Sequence, residues 1–255
     1  MPLDRVDIQA MYHQTKQDGE HVLAGYDRAT SRSFENAPTP LFNWLQSPRT
    51  LKVNILLHTS PHMGTAQHTR MTHMAALITW IATSWDHHVG ATLSQTGTTL
   101  PFQPHFVQSL LHHALSPRHG PPALDPLDRC LTAMHRAYPD RCVLVLLSDF
   151  IEPNWESPLY ALSQTHYVLP VVIHDPPPAH WPGTTLLPVT HPVSGHTQWV
   201  NPQDPPTRVA IQRAWDTHTN RLTQTFRLCH LTPLYLCPHT PYHTILLPPK
   251  RCDHP

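Results

Sequence analysis

Hydrophobic positions follow two rhythms along the chain: short apolar runs of strand length, and longer stretches with apolar residues three and four apart. Leu51-Lys52-Val53-Asn54-Ile55-Leu56-Leu57 is the first run and predicts a strand. From Thr65 to Asp86, Met71, Met74, Ala75, Ile78, Ile81, Ala82 and Trp85 recur at helical spacing. They predict a helix with one buried face, its methionines packed in the core. Val89 to Thr96 alternates as a second strand, and Gly97-Thr98-Thr99-Leu100-Pro101 reads as a turn. Helices are predicted over 105–115 and 125–138, with a loop from Pro117 to Pro122 between them. Cys142-Val143-Leu144-Val145-Leu146-Leu147 is apolar throughout, as suits a central parallel strand covered on both faces. A short helix near Ser157 to Ser163 and a strand from Tyr167 to Ile173 follow, stopped by Asp175-Pro176-Pro177-Pro178. From Gly183 to Asn201 the pattern changes to short paired strands about a Ser194-Gly195 turn. Pro205 to Arg227 reads as a long helix, Leu234 to Cys237 as a closing strand and Tyr242 to Leu247 as a last helical turn. Residues 1 to 50 are polar and mixed, with Pro38, Pro40 and Pro48 placed to break any long helix.

Strands alternating with helices imply an α/β fold: a mostly parallel, Rossmann-like sheet with right-handed crossovers and flanking helices. A C-terminal hairpin and long helix elaborate it. Residues 1–50 are expected as an N-terminal extension and residues 51–255 as the domain. Ligands of such sheets bind beyond the carboxyl ends of the strands. His58 follows the first strand and Asp149 the central one, so the two are candidate neighbours.

Composition narrows the function. The chain has 255 residues, 17 basic and 17 acidic, and a formal net charge of zero. That leaves no electrostatic footprint for nucleic acid or an anionic membrane. Charged residues are only 13% of the chain, a weakly self-repelling surface that favours life with a partner. Five cysteines without a Cys-x-x-Cys suit a reduced, cytoplasmic protein rather than a disulfide framework or zinc knuckle. No signal peptide and no membrane span are expected. There is no Gly-x-Ser-x-Gly elbow, phosphate-binding glycine loop or His-Glu-x-x-His, so an enzyme is not expected. The seven tryptophans read as core or hairpin packing.

The 23 His and 30 Pro against 8 Gly read as mutational drift before metal storage. His and Pro codons begin with C, whereas Asp and Ala codons begin with G, so one G-to-C change converts Asp to His or Ala to Pro. The histidines are scattered singly or in pairs, such as His87-His88, whereas a metal-binding tract clusters. A His where chemistry calls for Asp therefore reads as a replaced Asp.

Five segments in order carry a family resemblance. Ile55-Leu56-Leu57-His58-Thr59-Ser60-Pro61-His62-Met63 is similar to an apolar strand followed by Asp-x-Ser-x-Ser-Met. Val145-Leu146-Leu147-Ser148-Asp149-Phe150 matches a strand ending in Ser-Asp-Phe, and Val172-Ile173-His174-Asp175-Pro176 a strand ending in Asp-Pro. His191-Pro192-Val193-Ser194-Gly195 resembles an Asp-Pro-Glu-Thr-Gly hairpin. The long helix and the Tyr242 to Leu247 segment close the series. From roughly Ser33 to the C-terminus the chain resembles the von Willebrand factor A-like family of domain of unknown function 58.

The resemblance implies a metal-ion-dependent adhesion site in degenerate form. Such domains hold a divalent cation with Asp-x-Ser-x-Ser, a Thr from a second loop and an Asp from a third, oxygen ligands that suit Mg²⁺. Here His58 stands for the first Asp, His62 for the last Ser and Pro122 for the Thr, leaving Ser60 and Asp149. Imidazole is a poor Mg²⁺ ligand, so loss of Mg²⁺ binding is expected. Upstream, Asn36-Ala37-Pro38 and Asn43-Trp44 stand where the family carries acidic residues. The resemblance further implies a non-enzymatic interaction module of bacteria, working beside a MoxR-type AAA+ ATPase. The partner-binding residues would be Ser60, Pro61, His62, Pro122 and Asp149. The alternative is a transition-metal site, Zn²⁺ or Fe²⁺, in which His58, His62 and Asp149 converge, with hydrolysis conceivable at a bound water.

Overall fold

A computed structural model describes residues 8–30, 40–61, 63–94, 98–103, 106–115, 125–177, 186–190, 197–238 and 241–246. The elements are α1 (Ile8–Thr30), α2 (Pro40–Leu45), β1 (Lys52–Leu57), α3 (Thr65–Ser84), β2 (His88–Leu93), β3 (Thr98–Gln103), α4 (Val107–Leu115) and α5 (Leu127–Ala137). Then follow β4 (Val143–Ser148), α6 (Glu156–Thr165), β5 (Tyr167–Ile173), β6 (Leu187–Thr190), β7 (Thr197–Val200), α7 (Pro205–Leu228), β8 (Leu234–Leu236) and α8 (Tyr242–Leu246).

Six strands form one sheet in the order β3-β2-β1-β4-β5-β8, with β6 and β7 paired apart from it. Only β3 runs antiparallel within the larger sheet. This is the mostly parallel, helix-flanked, Rossmann-like architecture expected from the alternating pattern. Because side chains alternate across a strand, each central strand feeds two cores. Val53, Ile55 and Leu57 of β1, Val143, Val145 and Leu147 of β4, and Leu169, Val171 and Ile173 of β5 share one core with Met71, Met74 and Ile78 of α3. Leu56, Leu144, Leu146, Val168 and Val172 share the other with Leu131, Leu159, Leu222 and Phe226 of α5, α6 and α7. Both faces being covered explains why β4 is apolar at five successive positions before Ser148.

Two segments differ from expectation. The first 50 residues contain a helix of 23 residues, α1. The three prolines lie beyond its end and break nothing within it. α1 buries Val22 in the core and packs on α3 at Gly19, where a Cβ would run into the Trp80 ring. The stretch read as a turn, Thr98 to Pro101, belongs to β3, which pairs antiparallel with β2 through a register shift near Val89 and Ala91. Pro101 is tolerated because β3 lies at the sheet edge. The hairpin is found as β6 and β7, while its Ser194-Gly195 turn lies outside the described residues. No described helix is long and apolar enough to cross a membrane.

The loop after β4 is anchored by aromatic packing. Phe150, Trp155 and Phe226 are buried with ring centroids 5.0 to 5.9 Å apart, and the Trp155 indole N–H donates to the Phe150 carbonyl at 3.1 Å. Phe226 brings α7 into this cluster. Phe226→Ala should cost about 3–5 kcal/mol by cavity formation, read as a lowered urea midpoint with an unchanged slope.

Candidate functional site

Strand register builds the site. β1 and β4 pair with Leu57 beside Leu147, and the ladder continues as the His58 N–H donates to the Leu147 carbonyl at 2.9 Å. His58 and Ser148 thereby become lateral neighbours. The two-residue alternation turns both toward the α5–α7 face, like Leu56 and Leu146 before them. His58 Nδ1 lies 2.9 Å from Ser148 Oγ, which also accepts the Phe150 N–H at 3.0 Å. Which of the two groups donates depends on the imidazole tautomer, since a hydroxyl both donates and accepts. His58 Nε2 lies 3.4 Å from Glu152 Oε2 and meets no partner in hydrogen-bond geometry.

One step further out, the Ser60 hydroxyl donates to Asp149 Oδ2 in a short contact, tying the β1 loop to the β4 loop. Asp149 Oδ1 accepts the Ile151 N–H at 3.3 Å. The Thr59 N–H donates to Ser94 Oγ at 3.0 Å, and the Ser94 N–H donates to the Leu57 carbonyl at 3.1 Å, so the end of β2 supports the same loop. Ser60 and Asp149 are both buried, Pro61 and Met63 half-buried, and Ile151 is 45% exposed. The structure therefore brings His58, Ser60 and Asp149 to one sheet end. His62 and Pro122 lie outside the described residues. Among the described residues, no group of three or more His, Cys, Asp or Glu side chains is placed to hold a metal ion.

Two residues that sequence reasoning passed over complete the site. Glu152 Oε2 accepts the Leu127 N–H at 2.7 Å and so caps the first turn of α5 with a carboxylate, where the helix dipole favours negative charge. Arg221 of α7 donates to the Glu152 carbonyl at 3.1 Å and to the Glu156 carboxylate, and its guanidinium stacks on Trp155 at 5.2 Å. A carboxylate three residues after Asp149 could have been noted as a third polar group on the β4 loop. Nothing in the sequence pointed to Arg221.

Burial dominates the electrostatics. Desolvation raises the Cys130 thiol to about 12, helped by Asp125, Glu152 and Asp128, and the Cys142 thiol to about 11. Neither is primed as a nucleophile. His218 of α7 hydrogen-bonds the Asp149 backbone. Desolvation lowers its pKa although the Asp149 charge opposes the shift. His174, at the end of β5, lies 4.6 Å from the Trp215 ring and is also lowered, by burial and by His218.

A family model described as "Protein of unknown function DUF58" matches residues 45–221. No curated protein matches the chain.

His73, His166, His174 and His218 all have pKa values below the ordinary 6.5, each chiefly through desolvation. Between its folded and unfolded pKa values, each residue binds more protons in the unfolded chain, so stability rises with pH there. The contribution is complete above the unfolded pKa and is lost as pH falls from it toward the folded value. Urea midpoints should hold steady above about pH 7 and fall on going to about pH 5.5, before carboxylates titrate.

Proposed function

The chain belongs to the DUF58 family, and from that premise we propose that it is a non-enzymatic protein-interaction module, an adaptor or partner of a MoxR-type AAA+ ATPase in bacterial protein assembly or maturation. One observation carries the reading. The loops closing β1 and β4 are cross-tied through Ser60 and Asp149, and the β4 loop leaves Ile151 exposed. A preorganised loop pair with its polar groups tied to each other and an apolar side chain at the surface suits recognition better than chemistry. The raised thiols support the same reading. Loss of Mg²⁺ binding is part of the proposal, because His58 stands where the family pattern has its first carboxylate and imidazole is a poor Mg²⁺ ligand. The degenerate adhesion site then works as a cation-free contact surface in the cytoplasm. Affinity purification from the native host should recover a MoxR-type ATPase, and Ile151→Asp should weaken that association at least ~10-fold, about 1.4 kcal/mol. Repeated purification that never recovers such an ATPase would sink the proposal.

A second reading is a transition-metal centre or metallohydrolase on His58, His62 and Asp149. It is favoured by the buried His58 Nε2, which lacks a hydrogen-bond partner. Imidazole and carboxylate suit Zn²⁺ or Fe²⁺. The first reading is preferred because His58 Nδ1 is engaged by Ser148 and Asp149 Oδ2 by Ser60. Elemental analysis of untagged protein should find less than stoichiometric metal. A one-to-one content that His58→Ala abolishes would reverse the preference.

A further inference from the structure

We propose that His174 is an acid-released latch for the first half of α7: its neutral imidazole holds residues 205–217 against the sheet end, and its protonation lets this segment fray. The segment is lightly held. Within it only Thr207, Ile211 and Trp215, about one residue per turn, are half-buried, and the others are exposed. Asp204 caps the helix start by accepting the Thr207 N–H at 3.2 Å. A helical segment this short is nevertheless marginal in water without packing. The buried residues of α7, Leu222, Thr225 and Phe226, all lie beyond it.

The packing that the segment does have centres on one imidazole. The His174 N–H donates to the Leu236 carbonyl at 3.1 Å, which fixes its backbone at the end of β5. Its ring lies 4.6 Å from the Trp215 ring of α7 and 5.2 Å from the Tyr235 ring of β8. α7 thus meets the sheet end at Trp215 through a side chain that titrates near neutrality. Three further titratable groups face it. They are His218 on α7, the Tyr235 phenol, which burial pushes up, and Asp175, which is paired with Arg70 of α3. Burial and then His218 hold the imidazole below the ordinary 6.5, and the Asp175 charge only partly offsets them. Once the segment frays, the ring regains water and binds its proton more tightly, so acid favours the frayed form. The latch is complete above the ordinary value and opens as pH falls from there toward the folded value. His218, three residues after Trp215, hydrogen-bonds the Asp149 backbone, so the release takes place beside the strand-end loops. The proposal is independent of any ATPase and of any metal.

Amide hydrogen exchange of the full chain, corrected for the intrinsic effect of pH, tests it. Between about pH 7.5 and about pH 5.5, protection of residues 209–215 should fall at least ~3-fold more than that of residues 222–226. His174→Phe, an aromatic ring with no proton to gain, should keep the segment protected and remove that difference. Trp215→Ala should lower the protection of residues 209–214 already at about pH 7.5. The wild-type exchange and Trp215→Ala decide the matter if His174→Phe does not fold. Equal falls in both halves of α7 overturn the proposal, as does a segment that stays protected in Trp215→Ala. So does a pH response that survives His174→Phe, or protection that rises in acid, as an imidazolium drawn to the Trp215 ring would produce.

Discussion

When β1 and β4 pair in parallel with Leu57 beside Leu147, the ladder carries one step past the strands into His58, and the C-terminal end of the sheet follows from that step. It makes His58 and Ser148 lateral neighbours on the α5–α7 face. It also lets Ser60 reach Asp149. A slip of one residue would turn every side chain of β1 to the opposite face, moving Val53, Ile55 and Leu57 out of one core and Leu56 out of the other. Register here is fixed by burial on both sides of the sheet, so the geometry of the loops is a by-product of core packing.

A second layer of contacts secures the loop after β4 from a distance. Arg221 reaches Glu152 and Glu156 across 69 and 65 residues of sequence. Phe226, one and a half turns further along α7, fills the aromatic cluster with Phe150 and Trp155. The C-terminal half of α7 is thereby fastened, while its first half, from Pro205 to Thr217, is largely exposed. The Glu156 carboxyl shows how the polar contacts are balanced. Burial raises its pKa, but the Arg221 hydrogen bond, a backbone N–H and the guanidinium charge together bring it below the ordinary value.

Much of the main sheet was legible because its central strands are covered on both faces and appear as unbroken apolar runs, β1 and β4 above all. The neighbourhood of His58 and Asp149 followed from the rule that parallel sheets gather their sites at the carboxyl ends. α1 is hard to read from sequence because its polar composition hides a narrow buried stripe through Thr15, Gly19 and Val22. β3 was missed because an edge strand containing Pro101 lacks the pattern of a central one. Glu152 carries no periodic signal in a loop, and Arg221 sits on a helix whose solvent face is generally polar. Such long-range polar pairings are set by tertiary packing, which local patterns do not encode.

The carboxylate of Glu152 at the start of α5 bears on a whole class of ligands. In doubly wound sheets, phosphates are commonly seated where backbone N–H groups at a helix start face the sheet end. At α5 the Leu127 N–H is already given to Glu152, and the Arg129 and Cys130 N–H groups turn back to the Pro126 carbonyl. A nucleotide phosphate arriving there would have to displace a resident anion while approaching the negative charge of Asp128 in the same first turn. This helix start carries an internal counter-charge of its own, and the fold has thereby traded a cradle for diffusible anions for a fixed joint between two loops.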